Sequence, residues 1–227
     1  MGTDSLIIKT TDGGKTWQIV PAENISSETE IDHLNRIQMV SEDVGYVVGS
    51  GGVVLKTEDG GDTWVQKPVP DGIECELMSL CFLDEDKGWV VGGSGVVLHT
   101  SNGGDTWEQQ ITGVNSSLTG VKFVSSTDGW ICGNMAILRT TDGGNNWEFA
   151  QIEPNLFGHF RDIDFSDSQH GWIVGNFGYI LHTVDGGDTW YRQAEGMTEN
   201  NLYAIYVLDG SHIWATGDAG IVMKLVP

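Results

Sequence analysis

Glu76 and Asp162 are the one pair of carboxylates in this sequence that we nominate for glycoside hydrolysis, which needs two such groups facing one cleft. His33 and His159, together with Glu76, are of the residue types that bind metal ions, but ligands so distant in sequence need a fold that brings them together. For His33, His159 and Glu76 an ordinary polar rim is the simpler interpretation. We therefore predict no catalytic residues, no metal site and no cofactor.

The elements that position these residues are set by an eight-residue segment that occurs five times. Its copies are residues 10–17 (TTDGGKTW), 57–64 (TEDGGDTW), 100–107 (TSNGGDTW), 140–147 (TTDGGNNW) and 183–190 (TVDGGDTW). The tryptophans that end them are 47, 43, 40 and 43 residues apart. A repeat of this length predicts one four-stranded propeller blade per unit.

The composition of the segment is typical of a tight turn between strands. A short acid or amide can accept hydrogen bonds from N–H groups two or three residues on, and the glycine pair can take positive φ. We expect the tryptophan to bury against the sheet, with its indole N–H bonded to a carbonyl. Asn102 keeps the acceptor oxygen without the charge, which favours a structural role over a catalytic one. The predicted structural residues are Asp12, Trp17, Asp59, Trp64, Asn102, Trp107, Asp142, Trp147, Asp185 and Trp190. A calcium site among the turn acids stays an open alternative to simple solvation.

These segments resemble the Asp-box, or bacterial neuraminidase repeat. The longer unit, G-W-V-V-G-x-x-G-x-V-L-x-T-x-D-G-G-x-T-W, resembles the propeller family of photosystem II stability and assembly factors. The resemblance implies a β-propeller that binds a partner protein without transforming a substrate. The chain is shorter than the seven-bladed members and lacks the arginine-rich patch associated with their partner contact.

Sialidases share the Asp-box, and the resemblance to them implies three arginines that bind the substrate carboxylate. This chain has only Arg36, Arg139, Arg161 and Arg192, and we assign Arg139 and Arg192 to outer strands. Too few arginines remain near the propeller axis. A glycosidase is therefore the less favoured alternative, and we expect that the protein is not an enzyme.

Apolar alternation and β-branched residues predict an all-β fold of four-stranded antiparallel blades in one domain, residues 1–227. The blade units are residues 34–67, 77–110, 118–151, 160–193 and 202–226. We expect residues 5–20 to complete the last unit as a composite fifth blade, because an open sheet edge favours aggregation. Residues 6–9 and 221–225 both have the pattern of a third strand, so one strand is surplus and could join copies of the chain. An incomplete six- or seven-bladed propeller is the alternative.

The face opposite the Asp-box turns carries the longer and more varied loops, where contacts to a partner can change without disturbing the fold. We predict a partner-binding surface at the mouth of the axis on this face. Its residues are His33, Asn35, Glu76, His159, Arg161, Asn176, Phe177, Asn201 and Tyr203.

The net charge of −21 makes nucleic acids and anionic membranes poor partners and favours a protein with a basic surface. No apolar run is long enough to cross a bilayer, and the N-terminus lacks the features of a signal peptide. We expect a soluble protein, for which exported, thylakoid-lumen-like and virion settings all remain open. A structural or adhesive module of a virion or cell surface is the second functional alternative.

Overall fold

The computed structural model describes residues 6–20, 33–152, 158–193 and 196–225. In these ranges the regular elements are β-strands and short 3-10 turns. Residues 5 and 226, which limit the two segments of the predicted composite fifth blade, lie outside them. Within the described ranges, no helix has the length and apolar character needed to span a membrane.

The chain divides into two compact units, Met1–Gln110 and Ile111–Pro227. In unit 1, an N-terminal hairpin forms a sheet of two strands, β1 (Ile7–Lys9) and β2 (Gln18–Val20). Blade 1 contains β3 (Leu34–Met39), β4 (Gly45–Gly49), β5 (Val54–Thr57) and β6 (Val65–Lys67). Blade 2 contains β7 (Leu77–Phe82), β8 (Gly88–Gly92), β9 (Val97–Thr100) and β10 (Glu108–Gln109).

Unit 2 holds three further blades. Blade 3 contains β11 (Leu118–Phe123), β12 (Gly129–Gly133), β13 (Ala136–Thr140) and β14 (Glu148–Phe149). Blade 4 contains β16 (Phe160–Phe165), β17 (Gly171–Gly175), β18 (Ile180–Thr183) and β19 (Thr189–Arg192), and the short β15 (Gln151–Ile152) pairs with β19 in parallel. Blade 5 contains β20 (Leu202–Asp209), β21 (His212–Gly217) and β22 (Val222–Leu225).

The predicted all-β propeller fold is confirmed, with five blades of sequential antiparallel strands. In unit 1, β1 and β2 form one sheet, and in unit 2, β20, β21 and β22 form another. The composite fifth blade that would combine them stays a prediction. The assignment of a single domain stays a prediction.

The second strand of each complete blade is buried on both faces. All five residues of β4, β8, β12 and β17 are buried, and each of these strands begins and ends with glycine. The closing glycines leave no room for a side chain, since a Cβ on Gly49 would lie 2.3 Å from the carbonyl oxygen of His33. Blade sequences of the form G-aromatic-x-x-G are thus explained by close packing between consecutive strands.

Side chains of one inner strand bond to the backbone of the next. Gln38 in β3 donates to the carbonyl oxygen of Phe82 at 2.8 Å and accepts from its N–H at 2.9 Å. In unit 2, Thr119 donates to the carbonyl oxygen of Phe160 at 2.8 Å. Because these contacts join neighbouring blades inside each unit, they fix the spacing of the loops that the inner strands carry.

Candidate functional site

Each Asp-box turn is closed by hydrogen bonds within the box. In the second copy, Thr57 Oγ1 donates to Asp59 Oδ1 and accepts from the N–H of Gly61, both at 2.8 Å. Asp59 Oδ1 accepts from the N–H of Thr63 at 2.9 Å, and Asp59 Oδ2 accepts from the Thr63 hydroxyl at 2.7 Å. The donor N–H lies four residues after the acid here, whereas in the first box Asp12 Oδ1 accepts both from the N–H of Lys15, three residues on as predicted, and from that of Thr16. The glycine pair has positive φ, as predicted.

Asn102 takes the acid's place in the third box with the same backbone contact. Its Oδ1 accepts from the N–H of Thr106 at 3.0 Å, while its Nδ2 donates to the Thr106 hydroxyl at 2.9 Å. The amide therefore donates to the Thr106 hydroxyl, whereas the carboxylate of Asp59 accepts from the equivalent Thr63 hydroxyl, and the turn is kept. This arrangement needs no charge, which agrees with the structural role predicted for the boxes.

The hydrogen bonds of the boxes lower the pKa of their acids. For Asp59 the hydroxyl and N–H of Thr63 bring the pKa to about 2, and for Asp12 the N–H and hydroxyl of Thr16 do the same. The pKa of Asp142 is lowered chiefly by the amide and N–H of Asn146. Such carboxylates are poor proton donors at neutral pH, so the boxes are unsuited to general acid catalysis.

The box tryptophans pack on the inner strand of their own blade. Trp107, Trp147 and Trp190 meet Phe82, Phe123 and Phe165 edge to face, with ring centroids 6.1, 5.9 and 5.8 Å apart. Trp64, Trp107 and Trp190 are buried and Trp147 is half-buried. Trp17 is 56% exposed, contrary to the prediction, because its two-stranded sheet in unit 1 has no inner strand.

The predicted carbonyl partner of the indole N–H is also wrong for three boxes. The buried Nε1 atoms of Trp64, Trp107 and Trp190 have no hydrogen-bond partner in the described part of the chain. The rings instead lie beside the second glycine of the box, where a Cβ on Gly61 would come within 3.7 Å of Trp64.

The second-strand aromatic residue reaches the next blade. Tyr46 in β4 stacks on Phe82 in β7, and Trp130 in β12 stacks on Phe165 in β16, with centroids 3.6 and 3.8 Å apart. Trp130 Nε1 also donates to the carbonyl oxygen of Gly186 in the next box, at 2.8 Å. The contacts between blades 1 and 2 and between blades 3 and 4 therefore each combine a second-strand aromatic ring with the phenylalanine that ends the following inner strand.

The rim residues of unit 1 serve mainly to join blades 1 and 2. Asn35 Nδ2 donates to Glu76 Oε1 at 3.0 Å and to the carbonyl oxygen of Leu77 at 2.9 Å. The N–H of His33 donates to Ser50 Oγ at 3.1 Å, and the His33 side chain is exposed. Three predicted residues are thus held in place here, two of them in direct contact.

In unit 2, the predicted residues of blades 4 and 5 form one cluster. Arg161 Nε donates to Asn176 Oδ1 at 2.8 Å, and its guanidinium carbon lies 5.8 Å from the ring centroid of Tyr203. The Tyr203 hydroxyl donates to Asp218 Oδ1 at 2.7 Å. Polar, aromatic and charged groups are therefore presented together at neighbouring turns.

Phe177 belongs to the same cluster and has unusual backbone geometry. Its φ is +57°, a region that bulky residues rarely adopt, and its N–H donates to Asn201 Oδ1 at 3.1 Å. Its side chain is 66% exposed. The equivalent turn of blade 3 has Met135, also at positive φ and 63% exposed, whereas blade 1 has Gly51 there.

His159 lies between the turns of blades 3 and 4. Its Nδ1 is 2.9 Å from Asn134 Oδ1, and the backbones of the two residues form an isolated antiparallel bridge. His159 belongs to unit 2, while His33 and Glu76 belong to unit 1. The described residues contain no group of three or more His, Cys, Asp or Glu side chains that could hold a metal ion.

Asp162, one of the two nominated carboxylates, is a buried structural residue. Its Oδ1 accepts from the N–H of Ile163 at 3.1 Å, and its Oδ2 accepts from the N–H of Ile205 in the next inner strand at 3.0 Å. Asp164 repeats the arrangement: its Oδ2 accepts from Val207 N–H at 2.8 Å, and its Oδ1 lies 2.7 Å from Lys122 Nζ. The alternation F-R-D-I-D-F, with two acids at buried positions, was the signal that sequence reasoning missed.

Comparison with known proteins agrees with this arrangement of repeats. The family described as "Photosynthesis system II assembly factor YCF48" matches residues 1–71, 21–112, 69–161 and 155–226. The chain belongs to this assembly factor family. A comparison with curated proteins finds no match.

Among solved structures, YCF48 from Cyanidioschyzon merolae is 19% identical, with a TM-score of 0.74 over 98% of this chain and 77% of that one. A structure described as YCF48 bound to D1 peptide is 20% identical, with a TM-score of 0.50 over 92% of this chain and 97% of that one. An ancestral GH74 enzyme is 16% identical, with a TM-score of 0.70 over 95% of this chain but only 34% of the enzyme. At these identities the likeness to solved structures extends to the fold alone.

Proposed function

We propose that this member of the assembly factor family is a non-catalytic scaffold that binds a protein partner through the blade 3 and blade 4 turns of unit 2. The observation that carries the proposal is Phe177, whose large apolar side chain is exposed on a strained backbone. Bulky residues at positive φ cost stability, and they cluster at binding sites. In blade 1 the equivalent turn position is Gly51, which adopts positive φ without that cost in stability.

The neighbours of Phe177 supply the other contacts expected of a protein-binding surface. Met135 adds a second exposed apolar side chain, and Arg161 with Tyr203 adds the residue types that dominate binding energy at interfaces. His159, Asn176 and Asn201 hold these turns through the hydrogen bonds given above. In unit 1, His33, Asn35 and Glu76 remain proposed as additional contact residues.

The charge of the chain supports a partner with a basic surface. At −21, long-range attraction should speed the association of a cationic protein, and salt should slow it. We propose no cofactor, and no catalytic role for Glu76 or Asp162. Asp162 is buried with both carboxylate oxygens bonded to backbone N–H groups, which leaves it unsuited to contact a sugar.

The D1 peptide of the related complex provides a probe, named here the peptide probe. Isothermal titration calorimetry of the full chain with this peptide should give saturable binding. Strand β14 supplies a control, because a Glu148→Ala variant changes an exposed residue of unit 2 outside the proposed surface and should bind equally well. If titration with the peptide probe gave no measurable heat of binding, the proposal of a partner of this class would be refuted.

The alternatives predict other results. A glycosidase would hydrolyse a panel of aryl glycosides at a rate that vanishes in Glu76→Gln, whereas we expect no hydrolysis above the buffer rate. A purely structural module would bind no peptide.

A further inference from the structure

Two histidines occupy a position of the blades that otherwise carries lysine or arginine. The position lies in the third strand, directly opposite the second-strand aromatic residue, so the two side chains share one face of the sheet. It is filled by Lys56, His99, Arg139, His182 and Lys224, which pair with Tyr46, Trp89, Trp130, Trp172 and Trp214. Histidine is the one residue type of this set whose charge changes near neutral pH.

The long cationic side chains at this position reach a carboxylate. Lys56 Nζ lies 2.7 Å from Glu58 Oε1 and 5.8 Å from the ring centroid of Tyr46. Arg139 forms an ion pair with Asp188 of the next Asp-box. In these two blades an acid therefore balances the permanent charge, while the apolar stem of the cation lies along its own strand.

The shorter imidazole of His182 is enclosed without such an acid. Its ring stacks on Trp172 with centroids 4.5 Å apart and planes inclined by 12°, and its Nε2 is buried with no hydrogen-bond partner in the described residues. The ring of His170, held by Asp167 at 3.0 Å, lies 6.5 Å away and repels a charge on His182. Tyr191, opposite His182 in β19, is a further titratable side chain on this face. Protonation of His182 would thus place an N–H donor where no acceptor lies.

His99 repeats the arrangement in unit 1. Its ring centroid lies 4.8 Å from that of Trp89, and its Nε2 is likewise buried without a partner in the part of the chain that the structure describes. The ammonium of Lys87, 5.5 Å from the same indole, repels a charge on His99, while Glu108, opposite in β10, favours one. The two sites share the buried nitrogen and differ in their charged neighbours.

Acid should weaken the folded state at both sites. A stacked indole attracts a cation, but a buried N–H donor without an acceptor costs more than this contact returns. Burial lowers the pKa of His182 and His99 below the ordinary value of 6.5, and the neighbouring His170 and Lys87 lower it further. Because the unfolded chain then binds the proton more readily, stability is lost as the pH falls from the ordinary value toward the lower folded one.

We propose that His182 and His99 are acid-sensitive switches, each of which loosens the second and third strands of its own blade when its imidazole is protonated. In blade 4 these strands are β17 and β18, and the turn between them, Asn176–Gly178, carries Phe177. Acid should therefore act on a turn of the proposed binding surface. This consequence for binding rests on the proposed function, whereas the switches themselves do not.

Hydrogen exchange of the full chain, read by mass spectrometry at about pH 7.5 and about pH 5.5, tests the switches while the Asp-box acids are still charged. Protection factors, which correct for the effect of pH on intrinsic exchange, should fall by about threefold or more in residues 88–100 and 171–183. His182→Phe keeps a ring on Trp172 and removes the titration, so residues 171–183 should keep their protection while residues 88–100 still lose theirs. His99→Phe should do the converse, so each variant is the matched control of the other.

Two results would overturn the switches: protection in the wild type that is equal at both pH values, or a His182→Phe variant that still loses protection in residues 171–183. Nuclear magnetic resonance of the wild-type imidazoles gives a second readout that needs no substitution. Two histidines should titrate below the ordinary pKa of 6.5, and a chain in which none does so would contradict the proposal.

Calorimetry with the peptide probe separates the switches from the proposed function. Affinity should fall by about threefold or more between the two pH values in the wild type, and by less in His182→Phe. If the peptide bound at neither pH, the proposed function would fail while the exchange result stood. Equal affinity at both pH values, with protection lost in residues 171–183, would refute the link between the blade 4 switch and binding.

Discussion

The ring of Tyr46 lies parallel to that of Phe82, with centroids 3.6 Å apart and planes inclined by 5°. The Tyr46 hydroxyl also donates to the carbonyl oxygen of Glu85 at 2.6 Å, and burial raises the pKa of this phenol. Tyr46 is the one second-strand aromatic residue that is not tryptophan. It joins blades 1 and 2 by the same stacking that Trp130 provides between blades 3 and 4.

Mutation can separate the two contributions of Tyr46 to stability, ring stacking on Phe82 and the hydrogen bond of its hydroxyl. Phe82→Ala should lower the free energy of unfolding by about 3–5 kcal/mol, since it opens a cavity beneath a buried ring. Tyr46→Phe keeps the stacking and removes only the hydrogen bond to Glu85, so it should cost about 1 kcal/mol. Urea unfolding followed by tryptophan fluorescence measures both. Equal losses for the two variants would contradict the assignment of the stability to packing.

Two variants of Asp59 in the second Asp-box can separate the effect of the acid's charge on stability from the effect of its hydrogen bonds. Asp59→Asn should behave like the natural Asn102 and cost less than about 1 kcal/mol, while Asp59→Ala removes the acceptor of Thr63 N–H and should cost about 1–2 kcal/mol. Urea unfolding is again suitable, with Glu148→Ala as a neutral control. If the Asn variant lost as much as the Ala variant, the charge itself would be required.

Acid should destabilise the boxes. The pKa values of Asp12 and Asp59 are lowered to about 2 in the folded chain, from an ordinary value near 3.8. Carboxylates with depressed pKa values stabilise the fold above the unfolded pKa and lose that contribution as the pH falls toward the folded one. We expect the thermal midpoint to fall between about pH 5 and pH 2, and to fall less in Asp59→Asn. An identical pH profile for the variant would contradict the sign of the shift.

Asp164 in blade 4 stabilises blade 5 by accepting a hydrogen bond from the backbone of β20. Asp164→Leu would leave the N–H of Val207 and the ammonium of Lys122 without this acceptor, and should cost about 3–5 kcal/mol. Hydrogen exchange read by mass spectrometry should show the largest loss of protection in residues 202–209, which form β20. Glu148→Leu serves as the exposed control. Uniform loss of protection throughout unit 2 would argue against a local bridge.

The period and turn chemistry of the Asp-boxes were enough to predict the fold. A glycine at each end and an aromatic residue at the second position predict second strands at residues 45–49 and 171–175, and the structure has these bounds. Fourth strands were less predictable. The sequence pattern predicts a fourth strand from Thr63 to Lys67, but β6 begins at Val65, since Thr63 is held in the turn by Asp59.

The candidate site was only partly readable from the sequence. The strand order predicts that Arg161 and Tyr203 lie near the start of inner strands and Phe177 in a turn. The contacts of these residues depend on the spacing between blades, which no local pattern encodes. The roles of Asp162 and Asp164 were missed for the same reason, because their acceptor geometry is completed 43 residues away. The positive φ of Phe177 could not be predicted from the sequence either. The equivalent turn position of blade 1 is Gly51, and a position with positive φ does not normally have phenylalanine.

The most direct test of the partner-binding surface is the substitution Phe177→Gly. Glycine relieves the left-handed backbone, so the free energy of unfolding should stay the same or rise by up to about 1 kcal/mol. Ala219→Gly is the matched control at the equivalent turn of blade 5, where the side chain is small. Titration calorimetry should show that Phe177→Gly binds the peptide probe at least about tenfold more weakly while Ala219→Gly binds as the wild type does. Unchanged affinity of Phe177→Gly would contradict the proposal that the strained, exposed phenylalanine is kept for binding.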